Sequence, residues 1–217
     1  MNYKNFIAEH NTELKIKRCF DIIVSFILII VFSPLMLYIA FKIKKDSKGP
    51  IIFKQDRVTK HGKIFKIFKF RTMYVGSDKA SSVTVGNDNR ITEIGKKLRD
   101  YRLDELPQLF NILIGDMSFV GTRPEVPKYV ESYTNDMMKT LWLPAGVTSE
   151  ASVKFKDEAK LIDEYVKEGY STDEAYTKIV LPQKMKYNLK YIRKFSLIAD
   201  VVIIVMTVKE IFLTKYE

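Results

Sequence analysis

From Ile22 to Phe41 the chain runs for twenty residues without a charge, and as a helix rising about 1.5 Å per residue such a run reaches roughly 30 Å, the hydrocarbon thickness of a bilayer. A membrane helix is the first expectation. A cleaved signal peptide fits poorly, because the run is too long and no small-x-small site follows it. Ser33-Pro34 lies in the middle of the run. Proline removes a backbone donor there and crowds the carbonyl of Ile30, so a kink is expected. The flanks are basic on both sides, with Lys15, Lys17 and Arg18 before and Lys42, Lys44, Lys45 and Lys48 after. A spanning helix usually shows a one-sided positive bias. Two readings stay open: a Pro-kinked span, and a re-entrant helix-break-helix that dips into one leaflet with both ends cytoplasmic. The matched flanks favour the second, with Ser33 placed to help satisfy the freed backbone group.

The rest of the composition excludes more than it assigns. At 217 residues with a formal charge of +10, the chain is one domain or one domain plus an accessory segment, of a charge that suits nucleic acid, anionic lipid or phosphorylated substrates. The single Cys19 rules out an intramolecular disulfide. His10 and His61 are the only histidines, too few for a zinc cluster and poorly placed for a Ser-His-Asp hydrolase. No P-loop and no GxGxxG is present. Short strands are expected at Ile51–Phe53 and Ile64–Phe70, either side of a turn at His61-Gly62. The second interleaves aromatics with Lys66, Lys69 and Arg71, but no complete nucleic-acid module accompanies it, so no nucleic acid is expected. Residues 76–90 have the most loop-like composition in the chain and form a candidate mobile loop, followed by a helix capped by Thr92.

Two adjacent acids, Asp104 and Glu105, precede Leu106, Leu109, Phe110 and Leu113, which fall on one helical face; Pro107 suits a first turn. The acids are therefore placed at a helix N-terminus. Asp104 as an N-cap with Glu105 as a solvated charge is one reading; a catalytic pair is the other. Downstream, Gly115-Asp116-Met117-Ser118-Phe119-Val120-Gly121-Thr122-Arg123-Pro124 offers glycines for close backbone approach and an arginine able to fork onto a phosphate or to pair with Asp116 or Glu125.

Asp104-Glu105-Leu106-Pro107-Gln108 followed by that second stretch resembles the signature of the bacterial sugar transferases, the monotopic phosphoglycosyl transferases. Gly49-Pro50 through Val58, Gly62-Lys63, Lys69 to Met73 and Ser33-Pro34 are similar to further motifs of that family, in the same order, from about Lys17 to about Val208. The chain departs at Thr122, where proline is usual, and at Thr59, where glycine is usual. Members transfer a phosphosugar from a UDP-sugar to a polyprenol phosphate such as undecaprenyl phosphate and release UMP. The resemblance implies that Asp104 attacks the sugar-bearing phosphate and that Glu105 binds Mg²⁺. It implies Arg123, Pro124, Arg90, Lys69, Arg71, Gln108 and Asp200 as substrate-binding residues, and Ser33 and Pro34 as the membrane helix break.

In the C-terminal third, Trp142 to Thr148 reads as an interfacial stretch and a turn. A helix over 156–169 and another opened by a Ser171–Glu174 capping box and interrupted by Pro182 are expected. The uncharged run Val201 to Val208 is too short to span a bilayer, so the last helix is expected to lie in the core or on the membrane. The resulting expectation is an α-rich α+β fold: a membrane hairpin over 1–48, a cytosolic catalytic domain with short strands over 49–195, and an amphipathic interfacial helix over 196–217. It would sit on the inner leaflet of a bacterial cytoplasmic membrane, serving capsule, O-antigen or similar synthesis alongside downstream glycosyltransferases. An inactive membrane-anchored scaffold is the alternative.

Overall fold

The structure, a computed structural model, describes residues 2–76 and 89–213, with the backbone alone at 211–213; most of the loop expected at 76–90 lies outside the described residues. It is helix-rich with short strands. Helix α1 spans Tyr3–Asp46 and is the one helix among the described residues long and apolar enough to cross a membrane. Asn2 caps it, accepting from the Asn5 amide at 2.9 Å. The backbone irregularity inside α1 lies at His10 (φ −109°, ψ 15°), whereas Ser33 and Pro34 sit within continuous helix. The expected separation into two helices at Ser33-Pro34 is therefore not seen. The reason is local: the Ser33 hydroxyl donates to the Ile30 carbonyl at 2.8 Å, the acceptor that Pro34 leaves without an amide.

One stripe of α1 is buried toward its two ends, while the apolar middle from Phe26 to Tyr38 is exposed or only partly covered. Phe6, Lys17, Asp21, Ser25, Ile39 and Ile43 are buried, at spacings that keep them on one face, while Phe20, Ile23, Ile27, Ile30 and Phe41 on the other face are exposed. The polar members of the stripe act as fasteners. Arg18 donates to the carbonyls of Ile112 (2.6 Å) and Leu113 (2.8 Å), and Asp21 accepts from the Phe119 amide at 3.1 Å. Lys17 and Arg18, read from sequence as part of a lipid-facing basic flank, are thus turned inward.

Strands β1 (Ile52–Val58) and β2 (Ile64–Phe70) form an antiparallel hairpin in the register Ile52↔Phe70 to Val58↔Ile64. The turn between them carries His61 at φ 59°, followed by Gly62 at φ 75°. Helix α2 (Glu93–Asp100) is capped by Thr92 as expected, the hydroxyl accepting from Gly95 at 3.0 Å. A one-turn 3₁₀ segment, Leu103–Glu105, leads into α3 (Gln108–Ile114). Strand β3 (Met117–Val120) then pairs in parallel with β4 (Ala145–Thr148), the connection passing through α4 (Pro127–Val130). Where β3 and β4 end and begin, a Cβ on Gly146 would lie 2.1 Å from the Gly121 amide nitrogen. Both glycines are needed for the backbones to pass.

Helices α5 (Glu150–Lys154), α6 (Glu158–Lys167) and α7 (Thr172–Glu174) follow, the last opened by the expected Ser171–Glu174 capping box. A π-helical segment, Ala175–Val180, then gives way to α8 (Leu181–Arg193) at Pro182, so the proline marks a change of helix type. Helix α9 (Leu197–Leu213) inverts the usual amphipathic arrangement: its covered face holds Asp200 and Ile203, and Ile198, Val201, Val202, Val205 and Val208 are exposed. Asp200 pairs with Lys17 and accepts from the Tyr191 hydroxyl at 2.6 Å, and Lys17 also donates to the Val120 carbonyl at 2.9 Å. This buried cluster ties α1, β3, α8 and α9 together.

Removing one member of a buried ion pair strands the other. Lys17→Met should therefore cost about 3 kcal/mol, a Tm drop of roughly 6–12 °C in detergent. The double variant Lys17→Met/Asp200→Leu should recover most of that loss; equal Tm values for the two variants would contradict the pairing. Gly146→Ala should likewise lower Tm, because backbone on the facing strand cannot yield.

Candidate active site

The site is built on β2. Its two-residue period puts Phe65, Ile67 and Lys69 on one face. Phe65 and Ile67 pack against Leu109 and Ile112 of α3, and Lys69 continues the row to the end of that helix. Asn111 fixes the alignment: buried in α3, it accepts from the Phe68 amide at 2.9 Å and donates to the Lys66 carbonyl at 2.8 Å. It thus extends the free edge of β2 as a further strand would.

Lys69 donates to Glu105 Oε1 at 2.8 Å. Arg123, just after β3, forks onto the same carboxylate, with a short contact to Oε1 and a 3.4 Å contact to Oε2. The Arg123 and Lys69 charges hold the Glu105 carboxyl well below its usual range despite the opposing effect of burial, and Glu105 raises Arg123 in return. Arg123 therefore pairs with Glu105 rather than with Asp116 or Glu125. The turn that delivers the acids starts from Arg102 at φ 53°, a left-handed conformation that costs a non-glycine residue about 1–2 kcal/mol.

Asp104 is buried, and among the described residues nothing donates a hydrogen bond to its carboxylate. Burial pushes its pKa up, as does the neighbouring Glu105 charge, while Lys69, Arg99 and Arg123 oppose the rise. The N-cap reading does not hold: α3 begins after Pro107 with no side-chain cap, and the acids sit one turn earlier.

The other expected residues divide. Gln108 is fully buried, with both amide atoms unpartnered. Pro124 lends its carbonyl to Arg57 at 3.1 Å, which with the Val58 amide on the Glu125 carbonyl at 2.9 Å clamps the segment carrying Arg123. Arg71 is committed elsewhere, donating to the Lys48 and Ser47 carbonyls at the end of α1. Asp200 belongs to the Lys17 cluster. Arg90 bonds through its backbone carbonyl to the Tyr74 amide at 2.9 Å, beside the Met73–Ile91 bridge. Sequence reasoning missed Asn111, Arg57, Arg99 and Arg102. Only the left-handed turn at Arg102 had no sequence signal at all; the others were ordinary polar residues inside regular elements.

Among the described residues no three His, Cys, Asp or Glu side chains converge as a metal cage. The carboxylate oxygens suit only a hard cation that takes one or two protein ligands and completes its shell from phosphate and water. Glu105 Oε2 is the less engaged oxygen and fits that role.

Residues 12–214 match the family model described as bacterial sugar transferase. The chain is 37% identical over 200 residues to the UDP-N-acetylgalactosamine-undecaprenyl-phosphate N-acetylgalactosaminephosphotransferase of Aeromonas hydrophila, covering 90% of this chain and 43% of that protein. It is 38% identical over 205 residues to the UDP-glucose:undecaprenyl-phosphate glucose-1-phosphate transferase of Klebsiella pneumoniae (92% and 40%). To the protein of the same name in Escherichia coli strain K12 it is 33% identical over 205 residues (92% and 41%). The chain spans about two fifths of the length of these relatives. With the match running almost end to end through the acid pair and its arginine, the chain belongs to the bacterial sugar transferase family.

Proposed function

We propose that the chain is a phosphoglycosyl transferase that moves a phosphosugar from a UDP-sugar to undecaprenyl phosphate and releases UMP. The observation that carries this reading is the unequal acid pair: Glu105 is pinned by two cations, while buried Asp104 has no hydrogen-bond donor among the described residues and is open to react. In the first step an Asp104 oxygen bonds to the sugar-bearing phosphorus, and the bond from that phosphorus to the bridging oxygen breaks, its electron pair leaving with UMP. In the second, an oxygen of the lipid phosphate bonds to the same phosphorus. The bond to Asp104 breaks, the carboxylate is restored, and a polyprenyl diphosphate sugar departs.

Lys69 and Arg123 hold Glu105 in place and face the phosphates. The two acids and these two cations are balanced in charge before a substrate arrives, so an incoming diphosphate brings an excess of negative charge. Mg²⁺, held by Glu105, would neutralise that charge when bound. Arg57 acts indirectly, through the backbone that aims Arg123.

The membrane placement follows from two exposed apolar faces, on α1 and α9, which suit an interfacial, monotopic seat on the inner leaflet. In the re-entrant reading α1 bends at Ser33-Pro34 without breaking its helical path, which keeps both of its ends on the cytoplasmic side. A site at headgroup depth lets a soluble nucleotide sugar meet a lipid phosphate.

UMP release should be measured with UDP-glucose, UDP-galactose and UDP-N-acetylgalactosamine, the donor sugars suggested by relatives, in the presence of Mg²⁺ and undecaprenyl phosphate. Asp104→Asn should lower turnover by about 10³-fold or more. Failure of the wild-type chain across a broad donor panel would favour the scaffold reading. EDTA should suppress turnover, and added Mg²⁺ should restore it; undiminished turnover in EDTA would remove the metal from the account.

A further inference from the structure

A second feature opens beside the acid pair. A cleft of about 200 Å³ runs between α3, β3, β4, α5 and α9, too small for a whole nucleotide sugar. Much of its wall is aliphatic and aromatic, from Leu109, Ile112, Phe119, Val147 and Val153. The hydroxyls along it are already matched: Thr148 with Thr207 at 2.6 Å, and Ser152 with Ser149 at 2.9 Å. Lys156 and Glu210 also line the cleft and pair with each other at 2.6 Å, so little is left to recognise a polyhydroxylated sugar ring. One end differs. There Glu105, Arg102 and Gln108 line the cleft, and the Gln108 amide is buried with neither its donor nor its acceptor used. An unpartnered buried amide is costly unless a ligand completes it.

We propose that this cleft seats the first isoprene units of the polyprenyl phosphate acceptor, with Arg102 and the Gln108 amide meeting its phosphate. The proposal rests on the transferase reading for the identity of the lipid. Three observations select a prenyl phosphate over other occupants. The walls match a hydrocarbon chain, and the polar end offers a cation and an amide donor to an anionic oxygen. A phosphate monoester, when singly protonated, also supplies an O–H that the Gln108 carbonyl oxygen can accept. Finally, α9 and α3 line the cleft and also expose apolar residues of their own, Val205 and Val208 on one and Phe110 and Ile114 on the other. The chain can therefore continue from the cleft onto a face suited to lipid. The strained turn at Arg102 gains a purpose, since it brings a guanidinium to the mouth next to Glu105.

The test uses the full chain in nanodiscs and a short polyprenyl phosphate carrying a diazirine in its first isoprene units. On irradiation the label should map to peptides containing Leu109, Val153 or Thr207. Undecaprenyl phosphate should compete for it, whereas UDP-glucose and inorganic phosphate should not. Val153→Trp, which fills the cleft, should cut labelling roughly tenfold, while Val153→Ala keeps it. A misfolded tryptophan variant is recognised by its Tm, and in Gln108→Met, which deletes the amide but leaves Arg102, the preference for undecaprenyl phosphate over undecaprenol should narrow by about tenfold; an unchanged preference in that variant would overturn the role of the amide. Label confined to the exposed face of α1, competition by UDP-glucose in place of the lipid, or competition by inorganic phosphate alone would overturn the proposal. A chain that labels as expected but releases no UMP would defeat the transferase reading and leave the lipid seat standing; normal turnover without labelling would do the reverse.

Discussion

A carboxylate withdrawn from water must be paired, and Glu105 is paired twice. Lys69 reaches it from the end of β2 and Arg123 from the segment after β3, so one charge cluster fixes the relative positions of the hairpin, the 3₁₀ turn and the parallel strand pair. Leaving a charge of this kind unpaired costs several kcal/mol. The surrounding structure serves that geometry: Asn111 holds β2 on α3, Arg57 and Val58 hold the backbone beside Arg123, and the Gly121–Gly146 contact lets β3 and β4 close. The consequence for chemistry is asymmetry. Of two neighbouring acids, one is neutralised in place, and the other is buried without a hydrogen-bond donor among the described residues.

The long helix is best understood as a strut. Its twenty-residue apolar run first suggested a helix surrounded by lipid, and its middle is indeed exposed or only partly covered, yet Phe6 to Ser25 and Ile39 to Ile43 contribute buried residues that hold its two ends against the domain. The polar residues on that stripe bond to backbone of α3 and β3. A helix held in this way cannot move independently of the turn that carries Asp104 and Glu105. In the proposed membrane seat, the depth of α1 and the height of the acid pair are therefore coupled through Lys17, Arg18 and Asp21. The Lys17–Asp200–Tyr191 cluster extends the coupling to α9, whose exposed valines continue the apolar surface.

Much of this was legible in the sequence. The acid pair, Arg123, the strand at Ile64–Phe70, the Thr92 cap and the capping box at Ser171 are local patterns, and the structure contains each of them where its spacing indicated. The readings that changed depended on distant partners. Lys17 and Arg18 look like a membrane flank until Asp200 and the end of α3 are brought to them, and Arg71 looks like a phosphate ligand until the last carbonyls of α1 take its guanidinium. Asp104 looks like an N-cap because Pro107 signals a helix start, but the chain inserts a 3₁₀ turn first. Proline at position 34 predicted a break; the neighbouring serine hydroxyl supplied the missing donor, and the helical path continued. The aliphatic cleft next to Glu105 has no linear signature, since its walls come from elements far apart in the chain, α3, β3, β4, α5 and α9.

The central claim is the division of labour between the two acids, with Asp104 the covalent carrier and Glu105 held in its ion pairs. It is tested most directly by mixing the chain with a UDP-sugar that it accepts, without lipid, quenching rapidly, and mapping the attached phosphosugar by peptide mass spectrometry. The account predicts a phosphosugar on Asp104, formed with one UMP released per chain. A phosphosugar on Glu105, or steady UMP release with no covalent species on either acid, would contradict it.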